Sequence, residues 1–214
     1  DDGPWQVLDQ QDIVGSVQWP LSGRHNRQNA LAALLAARHA GVPLPRGLAA
    51  LSRFKNVKRR MELRGQVDGI TVYDDFAHHP TAIATTVDGL REKERAGRIL
   101  AVLEPRSNTM KLGVMKAALP DSLTTADLVF CYAAGLGWDA AAALAPLGEK
   151  AVVEDDLERL VERVVSHAGA GDYILVMSNG GFGGIHDKLL AALRARAALR
   201  QSVQEVIGEQ CGEE

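Results

Sequence analysis

From residue 56 onward, short apolar runs alternate with longer amphipathic stretches. MELRGQV and ITVYDD, residues 61–67 and 70–75, read as strands, and the Asp68-Gly69 pair between them predicts a hairpin turn. RILAVL, DLVFCY, KAVV and DYILVM are further strand candidates, apolar over most of their length. The intervening stretches have helical character. PTAIATTVDGLREKERA is opened by Pro80 at the position where a helix tolerates proline best. A helix is expected through Met110 to Leu119, another in the Ala-rich stretch after Trp138, and others over DDLERLVERVVSHA and IHDKLLAALRARA. Apolar strands in alternation with helices predict an α/β domain: a mostly parallel sheet with helices on both faces. The segment QSVQEVIGEQCGEE, 201–214, is polar and is expected to fray.

The pattern before residue 56 is different. WQVLD and SVQW read as short strands broken by glycine and proline. NALAALLAARHA is rich in strong helix formers, with Asn26 as the expected cap and Gly41, then Pro43 and Pro45, as its stop. A short helix follows around LAALSRF. So few strands cannot close a core, so 1–55 is expected to be the end of a domain, with 56–200 a domain of its own and 201–214 a tail. The chain has no initiating Met, and a fragment is expected.

Composition narrows the function classes. Of 214 residues, 46% are apolar and 24% charged, and the net charge is −3. That balance gives no reason to expect nucleic acid or an anionic membrane as partner, and no apolar run has the length of a membrane span. The two cysteines, Cys131 and Cys211, form no CxxC pair, and Cys131 in LVFCY reads as a buried thiol. This usage fits a reducing, cytoplasmic compartment.

In a parallel α/β sheet, ligands bind beyond the carboxyl ends of the strands. Three polar segments fall there: DDFAHHPT after ITVY, EPRSNTMK after RILAVL, and SNGGFGG after DYILVM. Distant in sequence, they are expected on one rim, which is the strongest physical argument for a site. In the first, Asp75 is suited to accept from ribose hydroxyls, and His78 and His79 to meet phosphate, a metal or a carboxylate; the plain alternative is that these groups cap the following helix. The His pair lacks zinc-ligand spacing, so no metal site is expected. In the second, Arg106 can grip a carboxylate with two hydrogen bonds and Lys111 adds a mobile charge, beside Ser107, Asn108 and Thr109; the alternative is a capped helix with solvated charges. In the third, the backbone N–H groups can form an anion nest, although a tight strand-to-helix turn explains the glycines equally well. It is not a dinucleotide fingerprint, because a G-x-G-x-x-G frame begun at Gly181 ends on His186. The cations of VKRRME, residues 57–62, can meet phosphate or simply remain solvated, and His25 and Asn26 can simply cap their helix. There is no G-x-x-x-x-G-K-[ST] cradle for β- and γ-phosphates and no G-x-S-x-G elbow.

Together these segments resemble one family. GRHNRQNALAA is similar to the end of the central ATPase domain of Mur ligases, RRME to their Arg-x-acid motif at the interdomain join, and VYDDFAHHPT to the D-[DY]-x-[GA]-H-x-P motif that opens their C-terminal domain. EPRSNTMK and MSNGGFGGIH resemble the branch that rejoins a recovered murein tripeptide to UDP-N-acetylmuramate in peptidoglycan recycling. The resemblance runs over about residues 15 to 195. It implies a Rossmann-like C-terminal domain preceded by the tail of the ATPase domain.

It also implies a chemistry: an ATP- and Mg2+-dependent ligase that phosphorylates the lactyl carboxylate of UDP-N-acetylmuramate and lets the amine of L-alanyl-γ-D-glutamyl-meso-diaminopimelate displace the phosphate. Carried over by motif, Asn26 and Asn29 are candidates for adenine contact, Arg60 for the nucleotide and Asp75 for the ribose. His78 and His79 fall near the cleft, while Arg106, Ser107, Asn108 and Lys111 meet the tripeptide, with Asn179, Gly180 and Gly181 as a further wall. No catalytic residue is assigned, and the P-loop, the magnesium ligands and the UDP site are expected elsewhere. Alternatives are an L-alanine-adding or other Mur ligase, and, in another class, a non-catalytic Rossmann-like binding domain. A nicotinamide-dependent oxidoreductase is disfavoured by the misplaced glycine turn.

Overall fold

Apolar residues at alternate positions make the opening segment a hairpin. β1 (Trp5–Asp9) pairs antiparallel with β2 (Asp12–Val17), followed by α1 (Arg24–His39) and α2 (Leu44–Ser52). Val7, Val17, Leu34 and Leu48 form a small core, with Trp5 and Trp19 packed on it at a ring separation of 5.9 Å. The structure, a computed structural model, describes residues 4–19, 21 and 23–210. The N-cap of α1 is Gly23 and no side chain caps it, so Asn26 lies inside the helix, correcting the expected start. Gly41, at φ 87, stops this helix as expected. α2 begins earlier than expected because Pro45 sits in its first turn, where proline costs no hydrogen bond.

These elements belong to one of two compact units, residues 1–60 with 88–95; the other comprises 61–87 and 96–214. The second unit holds β3 (Glu62–Val67), β4 (Ile70–Asp75), α3 (Pro80–Lys93, whose C-terminal part counts with the first unit) and β5 (Ile99–Leu103). Then come α4 (Asn108–Lys111), β6 (Leu128–Tyr132), α5 (Ala140–Leu144), β7 (Ala151–Glu154), α6 (Leu157–His167), β8 (Tyr173–Met177) and α7 (Ile185–Gln210). The sheet order is β3-β4-β8-β5-β6-β7, with β3 antiparallel to β4 and the other pairings parallel. The hairpin turn uses Asp68 and Gly69 at φ 51 and 74, as the Asp-Gly pair predicts. Every residue of β4 and β5 is buried, which explains the unbroken apolar run of β5; β4 buries Thr71, Asp74 and Asp75 as well.

Alternation along the strands directs two sets of side chains. Ile70, Val72, Leu100, Val102, Ile174 and Val176 form one cluster with Leu160, Val161 and Val164 of α6 and Ile185, Leu189 and Leu193 of α7. Asp75 points to the opposite face and meets Thr86 of α3. The fold is thus the α/β class expected, with a mostly parallel sheet covered on both sides.

Two further expectations fail. The helix foreseen from Met110 to Leu119 is only α4, with a short 3-10 turn at Lys116–Ala118. Gly113 breaks it at φ 71, and a Cβ there would lie 3.0 Å from the Trp138 ring. The segment from 201, expected to fray, continues α7 as far as Gln210; Cys211 lies outside the described residues. No proline interrupts QSVQEVIGEQ, so local sequence does not stop the helix.

Candidate functional site

The three polar segments do converge. β4, β8 and β5 are neighbours in the sheet, and the register sets Asp75, Met177 and Leu103 level at their carboxyl ends. Backbone bonds carry the ladder past them: Glu104 N donates to Met177 O at 3.1 Å and Ser178 N to Asp75 O at 3.2 Å. The loops after the three strands therefore leave one rim side by side.

On the middle strand, Ser178 is fully buried, and its hydroxyl donates to Glu104 Oε2 at 2.5 Å while accepting from Gly180 N at 2.9 Å. That relay ties the glycine turn to the loop after β5. Arg106, exposed, lies directly over Gly180: a Cβ built there would stand 2.7 Å from both Cδ and Cζ of the arginine. The neighbouring Asn179 Oδ1 is buried and accepts nothing from the described residues, and a buried acceptor of this kind calls for a donor from solvent or ligand. Ser107 caps α4, accepting from Met110 N at 3.3 Å, so its plain reading holds, while Asn108 and Lys111 stay exposed beside it.

The loop is fixed from its far side as well. Trp138 Nε1 donates to Met110 O at 2.7 Å, and Gly137 N donates to Lys111 O at 3.2 Å. Trp138, Glu104 and Ser178 were not singled out from sequence. A tryptophan within the glycine-containing GLGWD segment after a strand is the signal that could have found the first; Glu104 and Ser178 open two of the chosen motifs but show no spacing that marks them out.

At the end of β4, Asp75 is 3% exposed and accepts from Met61 N at 2.9 Å, Ala77 N at 2.8 Å and Thr86 Oγ1 at 3.3 Å. In this structure it ties the start of β3 to the loop before α3, and a ribose contact would share a carboxylate already engaged. Asp74, one residue earlier, faces α7 and lies 3.3 Å from His186 Nε2 and 3.8 Å from Arg64 Nη1. His78 Nδ1 is 2.9 Å from Phe76 O; a carbonyl only accepts, so Nδ1 carries the proton and Nε2 of a neutral ring is the acceptor. His79 is exposed and packs edge-on to His78 with ring centroids 5.0 Å apart.

The remaining nucleotide candidates lie in the first unit. Asn26 and Asn29, three residues apart on α1, share a face of that helix. Arg60 is exposed, and its carbonyl accepts from Asn56 Nδ2 at 2.5 Å. Arg59 and Met61, on either side of it, have φ of 59 and 49, so Arg60 is presented by an unusually tight backbone. Among the described residues no group of three or more His, Cys, Asp or Glu is arranged to hold a metal, and no helix is long and apolar enough to cross a membrane. Cys131 is buried, as read from sequence, and burial pushes its thiol up to about 12.

The family described as "Mur ligase, glutamate ligase domain" matches residues 59–180, which include β3 through β8 and all three rim loops up to Gly180. The chain is 50% identical over 203 residues to the UDP-N-acetylmuramate–L-alanyl-gamma-D-glutamyl-meso-2,6-diaminoheptandioate ligase of Escherichia coli (strain K12), covering 94% of this chain and 44% of that protein. It is 49% identical over 185 residues to the Haemophilus influenzae protein of the same name, covering 86% and 41%. It also matches the crystal structure of a murein peptide ligase from Psychrobacter arcticus with a TM-score of 0.67 and 44% identity, over 86% of this chain and 40% of that one. The chain thus spans less than half the length of these relatives. A match that runs through the whole sheet and the loops on its rim leaves one assignment: this chain belongs to the Mur ligase family.

Proposed function

We propose that this chain is part of an ATP-dependent ligase that joins L-alanyl-γ-D-glutamyl-meso-diaminopimelate to UDP-N-acetylmuramate in the bacterial cytoplasm. The observation that carries this reading is identity of 50% across 94% of the chain to a ligase whose name specifies those substrates. Convergence of Arg106, Ser107, Asn108, Lys111 and the 179–181 turn on one rim supports it.

The reaction balances as follows. The γ-phosphoryl group of ATP passes to the lactyl carboxylate and ADP leaves. The tripeptide amine then forms a bond to the acyl carbon, phosphate leaves with the C–O electron pair, and the nitrogen loses a proton. The chain's own contribution is positioning. The Arg106 guanidinium and the Lys111 ammonium hold carboxylates of the tripeptide, and a fixed nucleophile gains effective concentration over a free one. Asn26 and Asn29 meet the adenine, Arg60 the nucleotide and Asp75 the ribose edge, with His78 and His79 at the same rim as Asp75. Magnesium, bound with ATP, would offset phosphate charge, and its ligands and the triphosphate cradle are expected in the part of the relatives that this chain does not span.

Steady-state assays of the full-length ligase that carries this chain decide between substrates. Phosphate release with tripeptide and none above background with L-alanine is the expected result. Equal use of L-alanine would assign the L-alanine-adding reaction instead. The 214-residue chain alone is expected to release no phosphate from ATP in the presence of tripeptide; measurable release would refute the division of labour proposed here.

A further inference from the structure

Gly180 has a reason to be glycine that its own backbone does not supply. Its φ lies outside the left-handed region, so an alanine could adopt the same conformation. What a side chain would meet is Arg106: Cδ and Cζ both at 2.7 Å, with no other residue among the nearest atoms. The arginine therefore lies flat on the bare backbone of the turn. That floor is held in place from below, because Ser178 Oγ takes the Gly180 N–H at 2.9 Å and donates to Glu104, two residues before Arg106, at 2.5 Å. One short relay thus sets the distance between the turn and the loop that carries the arginine.

We propose that Gly180 is a specificity-determining positioning residue: the absence of its side chain fixes where the Arg106 guanidinium lies, and so which carboxylate of the peptide substrate it can grip. Ser178 and Glu104 act with it by holding the turn at that height. The inference rests on the reading of Arg106 as the carboxylate grip. It assigns Gly180 an effect through the arginine in addition to any wall it offers the substrate. A guanidinium binds a carboxylate through paired, parallel N–H bonds, so a small displacement costs both bonds.

The clash is with the flexible end of an exposed side chain, so Gly180→Ala is expected to move the guanidinium without unfolding the turn. The test uses the full-length ligase and five variants: Gly180→Ala, Ser178→Ala, Arg106→Ala, and each of the first two combined with Arg106→Ala. Gly180→Ala is expected to raise the tripeptide KM about tenfold or more, the range of one or two charge-assisted hydrogen bonds, with the ATP KM and Tm unchanged. In the Arg106→Ala background the same change is expected to add nothing. Ser178→Ala is expected to raise the tripeptide KM by a smaller factor, about threefold.

An unchanged tripeptide KM in Gly180→Ala overturns the inference, and so does a full additional penalty in its double variant with Arg106→Ala, because the glycine would then act independently of the arginine. Should Gly180→Ala lower Tm, Ser178→Ala decides alone by the same two criteria. An Arg106→Ala enzyme with unchanged tripeptide KM fails at the earlier step: it removes the carboxylate-grip reading, and this inference with it.

Discussion

Asp75→Ala should unfold the second unit far more readily than it impairs any ligand contact. The carboxylate is 3% exposed and accepts from Met61 N, Ala77 N and Thr86 Oγ1. Removing it leaves the buried Ala77 N–H without that acceptor, a cost of about 1–3 kcal/mol. The part-buried Met61 N–H loses a charge-assisted bond but recovers water, about 1 kcal/mol, and the longer Thr86 bond adds about 0.5 kcal/mol. The sum is about 2.5–4.5 kcal/mol, a large share of the stability of an ordinary domain. Trp138 is the only tryptophan of the second unit, since the other two are Trp5 and Trp19. With those two replaced by phenylalanine, Trp138 fluorescence reports urea unfolding of the second unit alone. At a slope of about 2 kcal/mol per molar, the midpoint should fall by about 1.2–2.2 M. Thr86→Val should cost about 0.5–1 kcal/mol and add little on top of Asp75→Ala. A shift below about 0.5 M for Asp75→Ala would refute the reasoning, and Asp75 would then matter chiefly to the nucleotide.

Other consequences follow from the same geometry. Asp172, which is 4% exposed, accepts from Arg98 Nε at 3.0 Å, Arg98 Nη2 at 2.6 Å and Gly169 N at 2.7 Å; Asp172→Ala should cost about 2–4 kcal/mol in the same assay, and Arg98→Ala about 1, because the arginine is half-exposed and its charge is screened. Trp138→Phe keeps the ring but loses the bond to Met110 O, so the tripeptide KM should rise a few-fold in the full-length enzyme while the ATP KM holds. In a Cys211→Ser background, Cys131 should react with a thiol reagent at pH 8 about a thousandfold more slowly in native than in urea-unfolded protein, since its pKa rises from 9.0 to about 12. The native state retains that thiol proton more tightly than the unfolded state does. Its stabilising contribution is therefore complete below pH 9 and is lost as pH rises towards about 12.

Much of the second unit was legible from local pattern alone. Strands buried on both faces have to be apolar throughout, so β5, β6 and β8 announce themselves, and Asp68-Gly69 and Pro80 mark a turn and a helix start that sterics enforce. The errors arose where a partner distant in sequence decides the conformation. Residues 110–119 carry helix formers, yet Trp138 packs on Gly113 and draws the chain away from the helix. Asn26 was read as a cap by residue type, but Gly23 takes that place three residues upstream. The rim was readable because loops after adjacent strands have to meet. The Ser178–Glu104 tie was not, because no spacing within either motif encodes a bond across 74 positions.

The placement of β8 has a consequence for how the protein is made. This strand is the last among the described residues, yet it lies between β4 and β5 in the middle of the sheet. While the polypeptide emerges from the ribosome, both neighbours wait with unpaired edges, open to non-native pairing with other chains. Arrival of residues 173–177 closes both edges at once and delivers Ser178 to Gly181 to the rim in the same event. A nascent chain stalled short of that strand thus has neither a closed sheet nor the 178–181 turn on its rim.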